Sequence, residues 1–138
     1  MTAIDWSELE RLALDARLRA HAPYSGYQVG AAVQVASGRI FSGCNVENAS
    51  YGLSICAERS AIVQMVAEGE RDPVAIAVVT PGPVIGTPCG MCRQTLAEFA
   101  KDDLPIRLLV ADGAAPPKIT SLGALLPEAF RAGALKRG

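Results

Sequence analysis

The chain has 138 residues, half of them apolar, which is enough for one compact domain around a single core. Thirteen Lys and Arg against fourteen Asp and Glu leave a formal charge of -1, and the basic residues are scattered apart from a short Lys136-Arg137 ending, so the clustered basic face of a nucleic-acid binder is missing. No apolar run approaches the roughly 20 residues that cross a bilayer, and Met1-Thr2-Ala3-Ile4-Asp5-Trp6 lacks the basic and apolar stretches of a secretory signal. The expectation is a soluble cytoplasmic protein forming one domain over 1–138, with neither nucleic acid nor membrane as a partner.

Leu9, Leu12, Ala13, Ala16 and Ala20 recur at helical spacing. Asp5 with Glu8 reads as a capping box, and Pro23 sets the limit of this first helix. Small and β-branched residues from Val29 to Val35, a Ser37-Gly38 turn and an extended pattern from Arg39 to Asn45 predict a hairpin. A polar loop then leads to a second helix starting near Cys56 and carrying Ala57, Ala61, Ile62, Met65 and Val66, with Gly69 as its stop. Val74 to Thr80 reads as a strand buried on both faces, Leu96, Phe99 and Ala100 as a third helical stripe, and Ile106 to Ala111 as another apolar strand. Beyond Pro116-Pro117, Lys118 to Ser121 offers a fifth strand and Leu122 to Leu126 a helical turn.

Alternating strands and helices build parallel sheets with right-handed crossovers, in which each helix begins at the carboxyl edge of the strand before it. The helix starts holding Cys56 and Cys89-Gly90-Met91-Cys92 should therefore meet at one edge. Two sulfurs three residues apart and a third from the neighbouring helix hold one zinc ion and leave a fourth position open, which is the arrangement of a catalytic rather than a structural site. A C-x-x-C at a helix start also fits redox chemistry. Glu58, two residues after Cys56, and Pro88 before Cys89 favour zinc, since Cys56-Ala57-Glu58 with Pro88-Cys89-Gly90-Met91-Cys92 matches the zinc deaminase pattern in an all-cysteine form. Arg59, with Arg93 as a second candidate, is positioned to donate to the sulfurs; the plain alternative is a surface ion pair. Cys44 reads as a small buried hydrophobe and His21 as a surface or capping residue, neither of them a ligand.

With these segments the chain resembles the cytidine deaminases, in the short all-cysteine type that resembles a homotetrameric branch. The likeness extends through Pro23-Tyr24-Ser25-Gly26-Tyr27-Gln28-Val29-Gly30-Ala31, Gly43-Cys44-Asn45-Val46-Glu47-Asn48, Arg93-Gln94 and Leu125-Leu126-Pro127-Glu128-Ala129-Phe130. It implies a three-layer α/β/α fold with a mixed sheet of about five strands and helices on both faces. It also implies one Zn2+ per chain on Cys56, Cys89 and Cys92, and a homotetramer. Asn45 and Glu47, at alternate positions past the second strand, would bind ribose hydroxyls; a turn asparagine and a solvent-facing glutamate are their plain alternatives. Tyr27, where the family usually has phenylalanine, and Phe130 would pack against the base, Phe130 from another subunit, with core packing the alternative for each. Tyr51 would lie near the sugar, the Ala57 N–H would hold the base O2, and the Thr87 carbonyl would face the leaving nitrogen.

The implied reaction is hydrolytic deamination of cytidine and deoxycytidine to uridine and deoxyuridine in pyrimidine salvage, with Glu58 moving the protons. Three rivals stand beside it. A nucleic-acid deaminase needs a basic channel, an antibiotic-deaminating relative should lack the Asn45 and Glu47 pair, and a non-enzymatic zinc module would not need Glu58.

Overall fold

The most continuous apolar stretch of the chain forms the middle of a five-stranded sheet in the computed structural model, which describes residues 3–135. Lys136-Arg137 lies outside the described residues. In chain order the elements are α1 (Trp6–Arg17), β1 (Gly30–Val35), β2 (Ile40–Cys44), α2 (Ala57–Ala67), β3 (Pro73–Thr80), α3 (Gly90–Phe99), β4 (Pro105–Val110), β5 (Lys118–Ser121) and α4 (Leu122–Leu125). Short 3-10 turns occupy Tyr51–Leu53 and Ala132–Leu135.

The strands lie in the order β2-β1-β3-β4-β5. β1 is antiparallel to both of its neighbours, β3 and β4 are parallel, and β5 returns antiparallel. The sheet is thus mixed, and the parallel arrangement drawn from element alternation holds between neighbours only for β3 and β4. The difference has a local cause. The tight turn at Ser37-Gly38, with Gly38 at φ 96°, folds β2 back along β1. Every residue of β1 is buried, whereas only Phe41 is buried in β2, so β1 takes the interior place against β3 and β2 the edge.

Alternation along the strands divides the core between two faces. Ala32, Ala75, Ala77 and Val79 meet Leu9 and Ala13 of α1. On the other face Val33, Ile76, Val78, Ile106 and Leu108 pack with Ala61, Ile62 and Met65 of α2, Leu96 of α3 and Leu122 of α4. These three layers give the α/β/α architecture with helices on both faces. The small residues beneath α1 let it lie close, and a Cβ at Gly30 would sit 1.9 Å from the Ala13 carbonyl oxygen.

Only half of the predicted capping box forms. Asp5 accepts from the Glu8 N–H at 3.1 Å, but Glu8 turns to Arg11, and the Asp5 N–H goes instead to Gln34 Oε1 at 2.8 Å. α1 also stops at Arg17, before the limit set by Pro23.

α2 also approaches β2 closely. A Cβ at Gly43 would stand 2.5 Å from the Ala61 nitrogen and 2.9 Å from the Ala57 oxygen, both backbone atoms that cannot swing aside. Gly43→Ala is expected to lower the free energy of unfolding by about 2 kcal/mol or more, within the range for overpacked cores, seen as a lower urea midpoint at unchanged slope.

Candidate metal centre and active site

Because β1 lies between β2 and β3 and opposes both, β2 and β3 run in the same direction. The helices that follow them therefore start at the same edge, and their first residues come together. Cys56 is the N-cap of α2 and Cys89 the N-cap of α3, each with extended backbone and no side-chain capping bond. Cys92 lies in the first turn of α3 and is buried. The sulfurs of Cys56 and Cys89 are 3.6 Å apart and those of Cys89 and Cys92 3.4 Å apart. All three lie within 4.8 Å of one another, and no disulfide joins them.

Two sulfurs bound 2.3 Å from a tetrahedral ion stand about 3.8 Å apart, so the Cys56–Cys89 and Cys89–Cys92 edges need to open by only a few tenths of an ångström to hold zinc. The surroundings fit as well. Arg59 has its Nε buried without a partner, while its Nη2 donates to the Ser54 carbonyl at 3.0 Å. Burial works against the charge of Arg59, yet the sulfurs of Cys56 and Cys92 within its reach leave its pKa raised. A cation held against two of the three sulfurs suits a shell of thiolates whose charge exceeds that of the metal. The other candidate, Arg93, is directed elsewhere. It donates to the carbonyls of Pro88 at 2.7 Å and Leu125 at 2.6 Å and has no part in the sulfur cluster, because its side chain leaves α3 towards the C-terminal segment.

The electrostatics separate the members of the cluster. A hydrogen bond from the Cys92 thiol, opposed by burial and helped by Cys89 and Arg59, brings the Cys56 pKa down to about 5. Cys92, as donor to Cys56 and buried, is pushed up. Glu58 is only 4% exposed, and burial, with the Cys56 charge adding to it, raises its carboxyl above the usual range despite an opposing hydrogen bond from its own N–H. An acid raised towards neutrality in a cavity is suited to take up and return protons.

That cavity, of about 210 Å³, is lined by Cys56, Ala57, Glu58 and Cys89, with Tyr27, Val29, Asn45, Val78, Thr80, Gly86 and Thr87 around them. A second lobe of about 410 Å³ is lined by Tyr24, Ser25, Asn45, Glu47, Tyr51, Ser54, Ile55 and Cys56. Asn45 and Cys56 belong to both lobes, which form one recess with a narrow end at the cysteines and a wide, open end. Tyr27, Ala57 and Thr87 are thus brought to the cysteine end, Glu47 and Tyr51 to the wide end. Tyr51 is 76% exposed and meets Tyr24 edge to face, ring centroids 6.1 Å apart. Phe130 is 59% exposed and lines neither lobe. Gln94 donates to the Phe130 carbonyl at 2.8 Å, and Arg131 donates to the Ala97 and Ala100 carbonyls at 2.7 and 2.6 Å, which fixes this segment along α3.

Several lining residues were not singled out from sequence. Ser25 stood inside the quoted Pro23 to Ala31 segment, and Thr80 ends the buried strand at the edge where ligands bind, a position that marks it by topology. Gly86 carried no such signal. Its missing side chain makes room for Tyr27, whose hydroxyl would lie 2.8 Å from a Cβ there, as would Cγ2 of Thr80. His21 is exposed, as expected. Cys44 is half-buried rather than buried, because edge strand β2 covers it on one side only, and it stays outside the cluster. Zinc measured by elemental analysis is expected to be lost from Cys89→Ala and Cys92→Ala and retained at one equivalent per chain by Cys44→Ala.

The family model for the cytidine and deoxycytidylate deaminase zinc-binding region matches residues 5–107. A cytidine deaminase of Halalkalibacterium halodurans is 47% identical over 131 residues, 94% of this chain and 96% of that protein. One from Mycobacterium tuberculosis is 40% identical over 130 residues, 94% of this chain and 92% of that protein. The crystal structure of cytidine deaminase from Burkholderia pseudomallei superposes with a TM-score of 0.86 at 45% identity, covering 92% of this chain and all of that one. With its three converging cysteines and buried Glu58, the chain belongs to the zinc-binding cytidine and deoxycytidylate deaminase family.

Proposed function

We propose that this chain is a zinc-dependent cytidine deaminase that hydrolyses cytidine and deoxycytidine to uridine and deoxyuridine and releases ammonia. The observation that carries the reading is the placement of a buried, pKa-raised Glu58 in a cavity beside three convergent thiols. A bound zinc ion supplies Lewis acidity, which makes water a competent nucleophile at neutral pH.

The chain's own residues do the rest. Cys56, Cys89 and Cys92 hold the ion, and Arg59 offsets the excess negative charge of their thiolates. Glu58 takes a proton from the attacking water and delivers it to N3 of the cytosine ring as the oxygen adds to C4. It then carries the second proton to the amino group, the C4–N bond breaks, and ammonia leaves. The Ala57 N–H, at the first position of α2, donates to the base O2, and the Thr87 carbonyl faces the departing nitrogen. Tyr27 borders the base, and Asn45, Glu47 and Tyr51 surround the sugar at the wide end of the recess.

Phe130 stands away from the recess of its own chain, and its role in this reading is to cover the base in a neighbouring subunit of a homotetramer. The large apolar side chains left exposed near the recess, among them Leu53, Ile55 and Val46, suit burial between such subunits. One domain over 1–138 acts on free nucleosides for pyrimidine salvage in the cytoplasm, where thiols stay reduced. No helix among the described residues is long and apolar enough to cross a membrane.

Glu58→Gln is expected to keep its zinc and lose activity by about a thousandfold, followed as the ultraviolet change on cytidine and deoxycytidine conversion. Failure of the zinc-loaded wild type to convert either nucleoside would overturn the reading. Phe130→Ala should be impaired as well. Because each site would combine Glu58 of one chain with Phe130 of another, refolding Phe130→Ala together with Glu58→Gln should restore activity above the sum of the two alone; no recovery would place Phe130 outside a shared site.

A further inference from the structure

The wide lobe of the recess is organised around one small side chain. Glu47 accepts from the backbone N–H of Tyr24 at 3.0 Å and of Ser25 at 3.2 Å through Oε1, and from the Ser25 hydroxyl through Oε2. The Ser25 oxygen in turn accepts the Tyr27 N–H at 3.0 Å. An ionised carboxylate only accepts, so the hydroxyl proton must point at Glu47 and its lone pair at Tyr27. Asn45 closes the same loop from its other end, accepting from the Val29 N–H at 2.9 Å and donating to the Tyr27 carbonyl at 2.8 Å. Asn45 and Glu47, which both line the wide lobe, are thereby engaged with the segment that carries Tyr27 to the cysteine end of the recess.

The valences are nearly used up. A carboxylate has about four acceptor directions. Three of them are occupied at Glu47, which leaves room on Oε2 for one hydroxyl donor from a ligand. Of the groups that hold the Glu47 carboxyl below its ordinary range, the Ser25 hydroxyl acts most strongly, ahead of the Tyr24 and Ser25 N–H groups and the nearby His21.

We infer that Ser25 is a positioning residue for nucleoside binding: its hydroxyl aims the remaining lone pair of Glu47 at a sugar hydroxyl and ties that carboxylate to the backbone of Tyr27 at the base. The inference rests on the proposed contact between Glu47 and the sugar. Without the hydroxyl, Glu47 keeps its charge and its two backbone bonds but is free to turn about them. The loss therefore falls on binding of the nucleoside and leaves proton transfer at Glu58 in place.

Steady-state kinetics with cytidine on the zinc-loaded enzyme test this with three variants. Ser25→Ala is expected to raise KM about tenfold with kcat within about twofold, the low end for a hydrogen bond to a charged group. Ser25→Thr, which keeps the hydroxyl at an exposed position, should return KM to near the wild-type value. Glu47→Gln should raise KM at least as much as Ser25→Ala. If Glu47→Gln raises KM while Ser25→Ala does not, or if Ser25→Thr is as impaired as Ser25→Ala, the positioning role is overturned and the sugar contact stands. If Glu47→Gln leaves KM unchanged, the sugar contact itself is overturned and this role with it.

Discussion

The placement of β1 between two strands that run the other way governs the rest of the molecule. With β1 antiparallel to β2 and to β3, those two strands end at one edge, and α2 and α3 must start there. Two helix N-termini thus face a common point, each bringing unpaired N–H groups and a partial positive charge. Cysteines at those positions find an environment that favours the thiolate, and their sulfurs come close enough to share one ion. Any register in which β1 moved to the edge would separate the helix starts and dissolve the site.

Charge balance then explains the company kept by the cysteines. Three thiolates around a divalent ion leave one negative charge in excess, which would weaken the ion as a Lewis acid and discourage ionisation of a carboxyl beside it. Arg59 answers the first problem by lying against the sulfurs, its buried Nε otherwise unpaired. Glu58 turns the second to use. Kept from solvent and close to Cys56, it holds its proton to higher pH than a surface glutamate, which brings it nearer to the range in which it can serve alternately as base and acid.

The metal ligands were legible in the sequence because their spacing is a local property: a C-x-x-C after proline and a C-x-E at a helix start read the same in any topology. The central position of Val74 to Thr80 was legible for a similar reason, since a short run without polar alternation has to be buried on both faces. Strand order was harder to read, because the exchange of places between β1 and β2 follows from how completely each strand is buried. Arg93 looked equivalent to Arg59 one turn past a ligand, yet it points to the Leu125 carbonyl, a partner 32 positions along the chain. Asp5 and Glu8 have the spacing of a capping box, but Gln34, from β1, competes for the Asp5 N–H. Each of these misses involves a partner distant in sequence.

The contact between Tyr27 and Gly86 has a consequence for how such sites diverge. The phenol oxygen, the Thr80 methyl and the empty side of residue 86 compete for one volume at the floor of the narrow lobe beside the cysteines. A side chain at 86 requires both a ring lacking the hydroxyl at 27 and a smaller residue at 80, since either group alone stands 2.8 Å from a Cβ there. The three positions therefore form an epistatic unit: a substitution harmless in one lineage is excluded in another by the occupants of the other two. Exchange of single residues between relatives at this floor should be governed by combined volume more than by the chemical character of any one residue.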